Sequence, residues 1–167
     1  MNNAQKKYSA QMTNRFLFKL FSIRKLPLAF LTGLKIIQLD ESKCITSVNY
    51  NYLNKNPFRS TFWAVLGMAA ELSTGAYALL STKGKGESIA VILVSTQAEF
   101  LKKATGISTF VCTDWCAFDD AVNKTIETGV PQTTKGKTVG TNKDGELVAN
   151  FEFTWSFKRR DKTRKLN

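Results

Sequence analysis

STFWAVLGMAAELSTGAYALLST, residues Ser60–Thr82, is the stretch on which the fold turns. Its composition predicts one helix. At helical spacing the neighbours of its lone acid, Glu71, are Ala64, Gly67, Met68, Thr74, Gly75 and Ala78, and none is charged. A helix that is apolar or small all round is buried by a sheet or a bundle, so this one belongs inside a domain. A carboxylate there is costly unless it is paired, hydrogen-bonded or protonated. Glu71 is either a functional acid or a satisfied structural one, and the helix alone leaves both readings open.

The flanking segments supply the cover. Residues 13–31 predict an amphipathic helix, with Phe16, Leu17, Leu20 and Phe21 apolar and Lys19, Arg24 and Lys25 polar. Pro27 ends or kinks it. A basic amphipathic helix can lie on a membrane, but the expectation here is packing against the chain's own sheet. GLKIIQLDESKCITSVNYN reads as two strand halves around a turn at Asp40–Lys43, and NYLNKNPFRS as a polar loop whose Pro57 and Ser60 precede the helix start. After the central helix, SIAVILVSTQAEFL and GISTFVCTD read as strands. AFDDAVNKTIET follows as a short helix with Asp119 and Asp120 near its N-terminus, and QTTKGKTVGTNK as another strand. Asp144-Gly145 makes the last hairpin turn. In ELVANFEFTWSFKRR, Ala149, Phe151, Phe153, Trp155 and Phe157 share one face, and Asn150, Glu152, Thr154, Ser156 and Lys158 the other. Aromatics on a basic sheet can stack on nucleic-acid bases. A sheet wrapped around a buried helix needs such a face for its core, and that is the reading taken.

A chain of 167 residues, 43% hydrophobic and 11% aromatic, fits one globular domain over 1–167, with 1–12 and 161–167 as flexible basic tails. No apolar run is long enough for stable membrane insertion, and MNNAQKKYSAQMTNR lacks a signal-peptide pattern, so the expected setting is soluble and cytoplasmic. Cys44, Cys112 and Cys116 make no disulfide framework and, with no histidine beside them, no zinc site; they read as reduced, mostly buried thiols. The absence of histidine excludes His-dependent triads, His-metal sites and His general bases. Gly136-Lys137-Thr138 ends like a phosphate loop, but Pro131 stands where the first glycine belongs. A net charge of +11 suits an anionic partner or a solvated basic surface.

Helix, strand, long buried helix, then four strands with a small helix inserted is an α+β order. An antiparallel sheet curling around one apolar helix is the hotdog arrangement. The chain resembles hotdog-fold thioesterases, particularly the phenylacetate-pathway type, which carry an Asn before the central helix and an acid fifteen positions later within it. Asn56 and Glu71 stand at that separation. AEFLKKATG (Ala98–Gly106) is similar to that superfamily's strand ending in a basic turn before a glycine. An uncharacterised branch is more similar still, through its NPF…S loop, AAE helix centre and TWSFK-like last strand; the likeness covers residues 13–160. The chain departs from the phenylacetate type by Phe62-Trp63 in place of His-Gly, and by Arg59 in place of an earlier glycine.

The resemblance implies hydrolysis of an acyl-CoA or acyl-carrier-protein thioester without metal or cofactor. Glu71 would be general base or nucleophile, and Asn56 would orient the reacting groups. Backbone amides near Phe62 and Trp63 would hold the oxyanion. Arg59, Ser60, Thr74, Lys102 and Lys103 would contact the substrate, the lysines through the carrier's phosphates. It also implies a homodimer or higher homo-oligomer whose site draws on both chains. Phe62-Trp63 equally suits a non-catalytic acyl-binding or regulatory hotdog protein.

Overall fold

A computed structural model describes residues 1–160. The segment 161–167, expected as a basic tail, lies outside them. The other expected tail is instead a helix, α1 (Asn3–Thr13), which buries Gln5 and Met12. Its start is held by a capping box, Asn2 accepting from the Gln5 amide while the Gln5 side chain accepts from Asn2 N–H. Asn14 then interrupts the helix expected over 13–31. Its Oδ1 accepts from the Phe16 and Leu17 amides at 3.0 Å and starts α2 (Arg15–Lys25). Pro27 opens α3 (Pro27–Thr32), which Gly33 ends in the left-handed region, φ 75°. The expected inward stripe of α2 is also corrected. Phe18 and Ser22 are the buried pair, while Phe16, Leu17 and Leu20 are exposed and Phe21 is half-buried.

β1 (Lys35–Leu39) and β2 (Cys44–Asn49) form the first hairpin, and the central helix α4 (Trp63–Thr82) follows a loop. β3 (Ile89–Phe100), β4 (Ile107–Cys112), α5 (Trp115–Thr128), β5 (Gln132–Asn142) and β6 (Leu147–Arg159) complete the order. The six strands make one antiparallel sheet in the order β1-β2-β4-β5-β6-β3, and α4 packs against every strand of it. The sheet therefore curls around α4, as a hotdog fold requires. β6 supplies the alternating face read from the sequence, with Ala149, Phe151, Phe153, Trp155 and Phe157 all in the core.

α5 begins two residues earlier than the sequence reading. That moves Asp119 into the second turn, where it pairs with Lys85 at 2.8 Å. Gly136-Lys137-Thr138 lies inside β5 and not in a loop; a Cβ on Gly136 would sit 2.7 Å from the Phe118 ring, so only glycine lets α5 pack so closely. Cys44 and Cys112 are buried opposite each other across β2 and β4, and burial pushes the Cys112 thiol up to about 12. Cys116 is exposed. Among the described residues no cluster of acids and cysteines could hold a metal ion. α4 is the one described helix long and apolar enough to cross a bilayer, and most of it is buried by its own sheet.

Candidate active site

The expected site residues fall into two places. The first is a cavity of about 340 Å³ at the N-terminal end of α4, lined by Asn56, Ser60, Trp63, Phe100, Lys102 and Lys103 among others. Of the NPFRS loop, Asn56 and Ser60 line it, and Pro57, Phe58 and Arg59 do not. Asn56 Oδ1 accepts from Phe58 N–H (3.0 Å), Ser60 N–H (3.2 Å) and Ser60 Oγ (3.2 Å), an Asx turn that closes the loop on itself. The amide oxygen is thereby committed, which leaves Nδ2 as the group free to meet a ligand. Arg59 completes the turn with φ 59°, a left-handed conformation that glycine adopts freely, and its side chain is exposed. Lys102 pairs with Glu146 at 2.6 Å on the surface, and Lys103 is exposed.

The oxyanion assignment changes at Phe62. Its N–H donates to the Asn54 carbonyl at 2.7 Å and is not available to a substrate. Trp63 and Ala64, the first two residues after the cap, carry no hydrogen bond on their amides among the described residues. These two N–H groups, at the positive end of a 20-residue helix, are the donors this end leaves open.

The second place is Glu71, about two turns along α4 from Ala64 and half-buried. It lines two cavities, one of about 230 Å³ between α1, α2, α4 and the sheet, the other of about 320 Å³ beneath α3. Both are walled mostly by apolar side chains; Tyr8 and Lys25 are the other titratable residues in the first, and Lys25 recurs in the second. No hydrogen bond or ion pair engages the Glu71 carboxylate among the described residues. Burial alone raises its pKa from the ordinary value of 4.5. Gly75, one turn on, gives the carboxylate its space: a Cβ there would lie 2.9 Å from Glu71 Oε1 and 3.2 Å from the Trp155 ring.

Thr74, expected at the substrate, is buried and its hydroxyl is used inside the core. It accepts from Trp155 Nε1 at 3.0 Å and donates to the Glu71 carbonyl at 3.1 Å, fixing the indole that forms one wall of the cavity. Within one chain, then, Asn56 and Glu71 line different cavities. Sequence reasoning missed Tyr8, Phe21, Lys25, Val91 and Trp155 around Glu71. They arrive from four elements, and no local pattern joins them.

No protein-family model and no curated protein sequence matches the chain. Solved structures do. A Pseudomonas aeruginosa protein of unknown function, named a probable thioesterase, superposes with a TM-score of 0.74 at 19% identity, over 87% of this chain and 95% of that one. A Chlorobaculum tepidum protein of unknown function gives 0.74 at 15% identity, over 93% and 94%. A thioesterase from Haemophilus influenzae gives 0.64 at 13% identity, over 87% and 92%. With α4 wrapped by a six-stranded antiparallel sheet and these structures superposing over nearly their whole length, the chain has the hotdog fold shared with thioesterase-named proteins.

Proposed function

We propose that the chain hydrolyses an acyl thioester, with Glu71 as the general base. The observation that carries this reading is a carboxylate without a partner, raised by burial, in the common wall of two apolar cavities. A general base gains from a pKa moved toward neutrality, because it then accepts a proton more readily. The acyl chain lies in the apolar cavities. Glu71 takes a proton from water as the water oxygen bonds to the carbonyl carbon, and the carbonyl oxygen becomes an oxyanion held by N–H donors. The C–S bond then breaks, and the thiolate leaves with the proton returned by Glu71.

The donors come from a second copy. β3 is a sheet edge twelve residues long whose Ile92, Val94 and Phe100 are exposed. Such an edge must be covered or paired. Two β3 edges pairing antiparallel about a two-fold near Ser95–Thr96 bring Val91 of one copy opposite Phe100 of the other. Val91 lines the Glu71 cavity and Phe100 lines the Asn56 cavity. The homodimer thus supplies Asn56 Nδ2 and the Trp63 and Ala64 amides opposite Glu71. Lys102 and Lys103, at the mouth of that cavity, suit the phosphates of coenzyme A or of an acyl-carrier protein.

The committed Phe62 amide and the exposed Trp63 indole favour the other reading, an acyl-binding hotdog without turnover. Glu71→Gln decides between them. If Glu71 is the base, a panel of acyl-CoA thioesters is hydrolysed by the parent protein and about 100-fold more slowly by the variant. Binding of the same thioesters without turnover by either protein would leave only the acyl-binding reading.

A further inference from the structure

The outer face of α2, α3 and β1 is used by nothing described so far. α2 turns Phe16, Leu20 and Ile23 outward at i, i+4 and i+7, α3 adds Leu28 and Leu31, and β1 adds Ile37. Phe16 is 74% exposed and Leu28 63%. So many large apolar side chains on one side of a helix pair mark an interaction surface. Residues 1–39 hold seven lysines and arginines, from Lys6 to Lys35, and no acid; the first carboxylate is Asp40. Of the net +11, +7 sits in this segment and 11 − 7 = +4 in the remaining 128 residues.

We propose that this face docks the protein on an anionic phospholipid membrane. An apolar stripe flanked by lysine and arginine is the interfacial-helix pattern, with the apolar side chains entering the acyl boundary and the cations meeting the phosphates. A groove on the same face gives the contact a defined point. It encloses about 270 Å³ between α2, α3 and β1, floored by Phe18, Phe30 and Ile36, with Arg15, Lys19 and Lys35 at its rim. Three cations around an apolar floor suit the phosphate of one lipid headgroup with the acyl carbons below it. A second copy meeting this face with its own would set Arg15, Lys19 and Lys35 against their own counterparts. The β3 edge proposed for dimerisation is a different edge strand from β1. Behind the face, Phe21, Leu26 and Leu28 line the cavities that reach Glu71, so an acyl chain leaving the bilayer stays in apolar surroundings. The docking itself does not depend on the thioesterase reading, because it is measured without turnover.

The test is flotation of the full chain with vesicles of phosphatidylcholine alone and of phosphatidylcholine containing phosphatidylglycerol. Binding is expected to the mixed vesicles and to weaken with added salt. One basic residue at such a surface is worth about fivefold in partitioning, so Arg15→Gln with Lys19→Gln should weaken binding about 25-fold. Phe16→Ser with Leu20→Ser should weaken it at least about tenfold. Lys124→Gln with Lys143→Gln removes the same charge from exposed positions off this face, and should leave binding within about twofold. Circular-dichroism melting confirms that each variant is folded; a misfolded serine variant leaves the two charge variants to decide. Absence of flotation at low salt would overturn the proposal, as would equal losses from the two charge variants. So would a serine variant that dissolves a dimer, because the face would then be covered by a second copy.

Discussion

Gly75→Ala tests whether the position of the Glu71 carboxylate matters. In the middle of a helix, alanine gains about 1 kcal/mol over glycine. Against that, the new Cβ lies 2.9 Å from Glu71 Oε1 and 3.2 and 3.3 Å from two carbons of the Trp155 ring. Ordinary contact begins near 3.4 Å, so the carboxylate must move about half an ångström and the indole somewhat less. The indole is tied to Thr74 on the same helix at 3.0 Å. The carboxylate has no such tether and yields. Overpacking costs about 1–3 kcal/mol, so the net effect on stability lies between none and a loss of about 2 kcal/mol. A melting temperature lower by up to about 8 °C corresponds to that limit for a chain of this size. Turnover responds more strongly: misplacing a reacting group by 1 Å costs about 100-fold, and half that displacement about tenfold. The assay pairs thioester hydrolysis with urea melts of the parent, Gly75→Ala, and a double variant that also carries Glu71→Ala. The double variant should recover stability lost to crowding, a coupling that neighbouring sites are expected to show. Hydrolysis by Gly75→Ala within about twofold of the parent would refute the reasoning, because a base displaced from its seat cannot keep its rate.

The raised Glu71 pKa sets two pH signs. Turnover should fall on acidification along a limb centred above 4.5, and Glu71→Gln should lose that limb. Stability runs the other way: the folded chain keeps a proton that the unfolded chain has released, so stability declines as pH rises from about 4.5 through the raised value. Melting curves against pH should show this decline flattened in Glu71→Gln, and an unchanged decline would show that another group causes it. Asn56→Asp keeps the oxygen that closes the NPFRS turn but removes the Nδ2 donor. The fold should persist while turnover drops about 100-fold or more, and retained turnover would confine Asn56 to the turn. Val94→Lys, close to the proposed two-fold, sets like charges against each other; sedimentation should show a monomer with little turnover, and an active monomer would overturn the two-chain site.

Much of this was legible from pattern. β6 alternates over its whole length because one face is core, and α4 stands out because it has no polar stripe. Glu71 was visible for the same reason. α1 reads as a flexible basic tail, although Asn2 and Gln5 carry the spacing of a capping box. In α2, both faces carry Phe and Leu, so periodicity could not say which face turned inward. The walls of the Glu71 cavity were out of reach, since Tyr8, Val91 and Trp155 meet only through tertiary packing. So was the loss of the Phe62 amide, which depends on where the Asn54 carbonyl points.

The burial of α4 has a consequence during synthesis. Its cover includes β6, which ends at Arg159, 159 − 82 = 77 residues after the helix. At about 5–20 residues per second, α4 waits roughly 4–15 s on the ribosome for its last strand. Throughout that interval the nascent chain displays a 20-residue helix that passes for a membrane span by length and composition. Glu71 stands near its midpoint, where an ionised side chain costs about 2.5–3.5 kcal/mol in a bilayer. The same carboxylate that sits between the cavities of the finished protein thus disfavours partitioning of the uncovered helix into a bilayer.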